Sequence, residues 1–138
     1  MLRTILSVSG KPGLFKLISQ TKSLLIAESL ISARKRTLIY PTEKVVSLGD
    51  IAIYTDSGEI ALGHVLETIK KKYNSEKVNL DVKKNPPLDF TQFMIEVLPD
   101  YDKERVLLSD IKKIVQWYNL LIESGEVDFT EEVKEDNN

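Results

Sequence analysis

The first third of the sequence carries basic and aromatic side chains whose chemistry suits an anionic chain. Lysine and arginine neutralise phosphates, and exposed aromatic rings stack on unpaired bases. The residues of this set are Lys11, Lys16, Lys22, Arg34, Lys35, Arg36 and Lys44, with Phe15 and Tyr40. Their spacing matches no base-reading pattern, so the chemistry they predict is sequence-independent binding of single-stranded RNA or DNA.

A second candidate is the aromatic pair Trp117 and Tyr118, which falls on a predicted helix. Tryptophan and tyrosine are enriched at the centres of protein interfaces, which makes the pair a candidate contact for a protein partner. The alternative is structural, because Trp117 would equally cover a seam between a sheet and the helices. The sequence leaves both interpretations open.

Catalytic and metal-binding patterns are largely missing from the sequence. It holds no cysteine and a single histidine, His64, which excludes disulfides, zinc–thiolate sites and cysteine nucleophiles and leaves little for a catalytic triad. Asp100, Asp102 and Glu104 have the spacing that begins a calcium loop, but Arg105 stands where that loop needs glycine. We therefore predict no catalytic residue, no metal and no cofactor, and we favour a protein that is not an enzyme.

Charge is distributed unevenly along the chain, although its net charge is only −2. Residues 1–49 hold eight basic and two acidic side chains, residues 50–84 hold six of each, and residues 85–138 hold five basic and thirteen acidic ones. Such asymmetry bears on partners and association rather than on fold. The basic part either meets an anionic partner or complements the acidic part within one molecule or between copies, and we favour complementarity.

Hydrophobic periodicity predicts an α+β protein. Short apolar runs separated by turn residues fill residues 1–55, and this spacing predicts a small antiparallel β-barrel. Asp56 and Glu59 form a predicted capping pair for a helix, which continues into a polar linker to residue 84. Two more helices are predicted in residues 85–125, one capped by Asp89 and one by Ser109, and residues 126–138 are predicted to be an acidic, disordered tail.

Four segments resemble an uncharacterised family of Bacteroidetes proteins of unknown function. These segments are Ile5–Gln20, Leu24–Leu30, Asp50–Thr55 and Leu108–Phe129, and the resemblance spans most of the chain. It implies an N-terminal barrel of the SH3-like or Sm-like kind, followed by a helical region. It supplies no activity, ligand or catalytic residue.

These observations lead to two functional hypotheses. The first is a non-enzymatic binding or adaptor protein that acts through protein contacts, including self-association, and it follows from the apolar helices, the opposed charges and the missing catalytic patterns. The second is a single-stranded RNA- or DNA-binding protein that uses the basic face of the barrel. The absence of cysteine, of an export signal and of a long apolar run predicts a cytoplasmic protein with no membrane partner.

Overall fold

The structure, a computed structural model, describes residues 2–31 and 33–130. Within these residues the chain forms seven strands and three α-helices. The strands are β1 (Ile5–Val8), β2 (Phe15–Gln20), β3 (Leu25–Ser29), β4 (Arg36–Ile39), β5 (Val45–Ser47), β6 (Ala52–Thr55) and β7 (Gly58–Ala61). The helices are α1 (Leu62–Lys72), α2 (Pro87–Val97) and α3 (Leu108–Ser124). The predicted α+β class is confirmed.

Strands β1 to β5 form one antiparallel sheet in the order β4-β3-β2-β1-β5. One face of this sheet, its inner face, carries a cluster of apolar side chains to which all five strands contribute. The members are Leu6, Val8, Phe15, Leu17, Leu25, Ala27, Ile39 and Val45. Because the cluster is built from strand residues alone, the sheet must curl over its own inner face to keep these side chains from water.

The curled sheet is open between its two outermost strands. In the part of the chain that the structure describes, β4 pairs with β3 and β5 pairs with β1, and no ladder joins β4 to β5. The closed barrel predicted from the sequence is therefore not confirmed. Pro41, which has no N–H to donate, follows directly after Tyr40, and a tight turn leads from there into the three-residue strand β5.

Strands β6 and β7 form a separate hairpin, which corrects two sequence predictions. Residues 51–54 were expected in the barrel, but β6 pairs with β7 instead, and Glu59 lies opposite Tyr54 in that hairpin. Glu59 therefore does not take part in a capping pair with Asp56, and α1 begins only at Leu62. Gly58 has φ of +143°, a conformation that glycine adopts without a steric penalty, and it allows the chain to reverse after Ser57.

The starts of the other helices also differ from prediction, whereas the end of α3 agrees with it. Helix α2 begins at Pro87, which suits a first helical position, so Asp89 lies inside the first turn. Helix α3 begins one residue before Ser109, and the carboxylate of Asp110 accepts a 2.9 Å hydrogen bond from the N–H of Leu107. Gly125 ends α3 in the left-handed conformation, as its position predicts.

The sheet and the helices share one hydrophobic core. Apolar side chains from the sheet half pack with the buried faces of all three helices. The contributors from the sheet half are Leu2, Ile5, Leu14, Leu30 and Leu48. The two predicted regions are therefore not independent in their packing. No helix of the described residues is long and apolar enough to cross a membrane.

The segment predicted as a polar linker is held against α3. The side-chain amide of Asn119 accepts a 2.7 Å hydrogen bond from the N–H of Val78 and donates one of 2.9 Å to its carbonyl. The Tyr118 hydroxyl donates a 2.7 Å hydrogen bond to the carbonyl of Glu76, and Val78 itself is buried. These contacts hold in place a stretch whose polar composition predicted a linker.

The first residues of the predicted acidic tail, 126–130, are described by the structure, and Phe129 among them is buried. Phe129 is 1% exposed, and its ring centroid lies 6.2 Å from that of Tyr118. An aromatic side chain has enough apolar surface to hold this short segment on the helices despite the acidic residues around it. The rest of the predicted tail, residues 131–138, lies outside the described residues.

Candidate interaction surface on the sheet

Three of the seven predicted nucleic-acid-binding cations are engaged in ion pairs within the protein. Lys11 pairs with Glu43 at 3.0 Å, and Lys16 pairs with Glu126 at 3.2 Å. Arg34 pairs with both Glu28 and Glu126 at 3.1 Å. These contacts follow the charge asymmetry of the sequence, because Lys16 and Arg34 on the sheet side meet an acid just after α3.

The other four cations lie exposed around the sheet. Lys22, Lys35, Arg36 and Lys44 form no ion pair with another described residue. The acids of residues 1–49 are Glu28 and Glu43, and both are already paired with Arg34 and Lys11. Among the described residues, these four positive charges therefore have no acidic partner.

The two aromatic residues of the predicted set have different environments. Phe15 lies opposite Leu6 on the inner face of the sheet and is 6% exposed, so it is a core residue and cannot stack on a base. Tyr40 is 50% exposed at the end of β4. The alternation of inward and outward side chains along a strand accounts for both positions.

The two aromatic residues of the pair on α3 also differ in their burial. Tyr118 is fully buried, and burial raises the pKa of its hydroxyl, so its proposed role as an interface contact is excluded. Trp117 is partly buried, packs against the main core and borders two cavities, of about 560 and about 290 Å³. This is the structural role anticipated for Trp117 as cover over a seam.

An exposed apolar row on the outer face of the sheet was not recognised in the sequence. Leu38 of β4 is 45% exposed and lies opposite Ile26 of β3, which in turn lies opposite Ser19 of β2. Ile18 sits at the bulge beside Ser19 and is 39% exposed. The signal in the sequence is the alternation of Arg36, Leu38 and Tyr40, which marks an outward face with an apolar centre.

No strand of the described residues pairs with β4 along the edge that faces away from β3. The N–H of Ser29 donates a 2.8 Å hydrogen bond to the carbonyl of Lys35, which identifies residues 29 and 35 as a hydrogen-bonded pair. Such pairs alternate along an antiparallel ladder. The N–H and C=O groups of Arg36 and Leu38 therefore point away from β3, towards the open edge of the sheet.

Glu43 ends this open edge at Tyr40. Its carboxylate accepts a 2.8 Å hydrogen bond from the N–H of Tyr40, and its own N–H donates one of 3.0 Å to the Tyr40 carbonyl. The hydrogen bond from the Tyr40 backbone, followed by that from Lys11, holds the pKa of Glu43 below its ordinary value. The usable length of the edge is thus limited to Arg36 and Leu38.

A cavity of about 220 Å³ adjoins the end of β4. Its apolar wall includes Leu25, Ile39 and Val45, and its polar rim includes Lys22 and Glu43. Elsewhere in the described residues, no group of three or more histidine, cysteine, aspartate or glutamate side chains is placed to hold a metal ion. The end of β4 thus combines an open strand edge with a small cavity that has an apolar wall and a polar rim.

The comparisons with known proteins identify the family. Residues 2–48 match a domain of unknown function, DUF5606, and residues 51–121 match another, DUF6852. The chain therefore belongs to an uncharacterised protein family, which confirms the resemblance seen in the sequence. It is similar to a Bacteroides vulgatus protein solved by solution NMR as a structural genomics target, with 49% identity, a TM-score of 0.78, and coverage of 94% of this chain and 91% of that one. No curated protein matches.

Proposed function

We propose that the protein is a non-enzymatic binding or adaptor protein that takes up an extended, acidic segment of a partner protein as an additional strand beside β4. The observation that carries this proposal is the open edge of β4, where the outward backbone groups of Arg36 and Leu38 have no strand partner among the described residues. Strand addition is a common mode of peptide recognition, in which backbone hydrogen bonds supply affinity and side-chain contacts supply specificity.

The side chains around the edge support the same proposal. Leu38 and Ile18 offer apolar surface to alternate side chains of an added strand. Lys35 and Arg36 at one end of β4, with Lys22 near the other, favour a segment rich in aspartate or glutamate. Complementary charge of this kind accelerates association and selects against basic partners.

The proposal gives the curled sheet a functional interpretation. We infer that it works as an incomplete barrel of the SH3-like or Sm-like kind, whose gap between β4 and β5 supplies the edge that a closed barrel lacks. We propose that this binding takes place in the cytoplasm, the location that the absence of cysteine predicts.

The edge is tested with a fluorescent, acidic peptide of alternating glutamate and valine, whose binding is measured by fluorescence anisotropy. Leu38→Pro removes an N–H that points away from β3, so the ladder to β3 stays intact while the added strand loses a donor. We expect Leu38→Pro to weaken binding about tenfold, because the complex loses one backbone hydrogen bond and the hydrogen bonds next to it are disturbed.

Controls separate this effect from a general loss of structure. Circular dichroism is expected to be the same for Leu38→Pro and the parent protein. The control is Leu88→Ala, because Leu88 is another exposed leucine, 62% exposed against 45% for Leu38, and lies on α2; its replacement is expected to leave binding unchanged. Equal affinity of Leu38→Pro and the parent protein would contradict strand addition.

Single-stranded nucleic acid is the second candidate, favoured by one observation. Lys22, Lys35, Arg36 and Lys44 are exposed and form no ion pair with another described residue, and the exposed Tyr40 lines the same cavity as Lys22. Nucleic-acid binding releases counterions, so its affinity falls steeply with salt and does not require the N–H of Leu38. Binding of an oligonucleotide that Leu38→Pro leaves unchanged, with no binding of the acidic peptide, would favour this candidate.

A further inference from the structure

We propose that the segment bound at β4 is the C-terminal end of the partner chain, with its last side chain in the cavity at the end of β4 and its terminal carboxylate beside Lys22. This inference rests on the proposed strand addition and specifies its ligand. It assigns the cavity of about 220 Å³ and gives Lys22 a direct role.

The open edge of β4 stops abruptly at Tyr40. Glu43 forms hydrogen bonds with both the N–H and the C=O of Tyr40, at 2.8 and 3.0 Å. An added strand therefore has backbone partners at Arg36 and Leu38 but not at Tyr40. A strand that continued in register would displace a carboxylate already held by Lys11. A chain that ends at this point avoids that cost.

The size and lining of the cavity at the end of β4 also favour the end of a chain. Sites for small-molecule ligands typically measure about 300–1,000 Å³. At about 220 Å³ the cavity at the end of β4 is smaller and suits a single side chain. Its apolar wall of Leu25, Ile39 and Val45 favours an aliphatic one.

The charge at the rim of the cavity favours a terminal carboxylate. Glu43 is neutralised there by Lys11 at 3.0 Å, whereas Lys22, in the turn between β2 and β3, has no acidic partner among the described residues. An ammonium group beside an apolar cavity matches the two features of a chain terminus, a carboxylate and an adjacent side chain. An internal glutamate would offer the carboxylate without the chain end.

The experiment compares three forms of one acidic peptide of alternating glutamate and valine with a second valine added at its end: with a free carboxylate, with an amidated end, and extended by two glycines. The added valine places the last side chain on the inner face, where Leu25, Ile39 and Val45 line the cavity, while the other valines face the outer row. We expect amidation and extension each to weaken binding about tenfold, as for the loss of a charged hydrogen bond. Lys22→Gln is expected to weaken binding of the free-carboxylate form and to abolish its advantage. Lys44→Gln is the matched control, because Lys44 is another exposed, unpaired lysine that does not line the cavity.

The outcomes separate this inference from the proposed function. Equal affinity of the three peptides, with binding still sensitive to Leu38→Pro, would overturn C-terminal recognition and leave strand addition standing. A carboxylate preference that persists in Lys22→Gln would overturn the role of Lys22. Failure of all three peptides to bind, or insensitivity of their binding to Leu38→Pro, would overturn the proposed function itself.

Discussion

Arg34 donates a hydrogen bond of 2.7 Å to the backbone carbonyl of Ser124, the last residue of α3. The same guanidinium contacts Glu126 just beyond the helix and Glu28 on β3. A cation at this place also suits the negative end of the helix dipole. Arg34 thus joins the sheet that carries the open edge to α3, which contributes five buried side chains to the core.

Replacing Arg34 is expected to loosen this junction. Arg34→Ala removes the contacts to Ser124 and Glu126 while the backbone conformation, with φ of +59°, is equally strained for either side chain. Because the side chain is 38% exposed and solvent screens its ion pairs, we expect a loss of about 1 kcal/mol in the free energy of unfolding, measured by urea denaturation. Lys35→Ala, at the exposed neighbouring cation, is the control, and equal stability of the two variants would contradict the role given to Arg34.

Phe129 is expected to be part of the folded core although it follows an acidic stretch. Phe129→Ala removes a fully buried ring that contacts Tyr118, so we expect a loss of about 3–5 kcal/mol, seen as a lower midpoint of thermal unfolding. Val127→Ala, at an exposed position in the same segment, is expected to change the midpoint little. A similar small effect of both variants would show that the segment does not pack on the helices in solution.

Asn119 is expected to fix the segment around Val78. Asn119→Asp keeps an oxygen for the N–H of Val78 but replaces the donor to its carbonyl with a second acceptor, which creates a repulsion. We expect faster hydrogen exchange at the Val78 amide and a loss of about 1–3 kcal/mol in stability. Gln116→Glu, on the exposed side of α3, is the matched control. Unchanged exchange at Val78 in Asn119→Asp would show that Asn119 does not hold this segment.

Glu43 is expected to release the end of the edge only in acid. Its pKa lies below the ordinary value of a glutamate because the ionised carboxylate accepts the Tyr40 N–H and pairs with Lys11. A carboxylate whose pKa falls on folding stabilises the protein above its unfolded pKa, and this contribution disappears as pH falls through the folded value. NMR of the Tyr40 amide is therefore expected to show a transition in acid, at a pH below the ordinary pKa of a glutamate, and the transition is expected to be absent in Glu43→Gln. A midpoint at or above that ordinary pKa would contradict the role given to Glu43.

Much of the fold is predictable from local patterns, and what is missed depends on contacts distant in sequence. The strands of the first half and the apolar stripes of the helices follow from periodicity. The β6–β7 hairpin was missed because Asp56 and Glu59 fit the spacing of a helix cap equally well. The docking of Val78 depends on Asn119, forty-one residues away, which no local pattern indicates.

The sequence predicted the basic residues of the candidate surface, but as a site for nucleic acid and not for an added strand. Composition identifies a basic sheet, but it cannot show that Lys16 and Arg34 are neutralised by Glu126. Nor can it decide which aromatic residue faces outward, since Phe15 and Tyr40 differ only in their register on the sheet. The open edge beside Leu38 follows from which strands pair, and pairing is a tertiary property.

The central claim is that β4 accepts a further strand, and hydrogen exchange at single amides tests it most directly. The N–H groups of Arg36 and Leu38 point away from β3, so they are expected to exchange rapidly in the free protein and to become protected when the acidic peptide is added. The amide of Thr37, which faces β3, serves as the internal reference and is expected to change little. If the peptide binds and the amides of Arg36 and Leu38 exchange as fast as before, the peptide does not pair with β4 and the account is wrong.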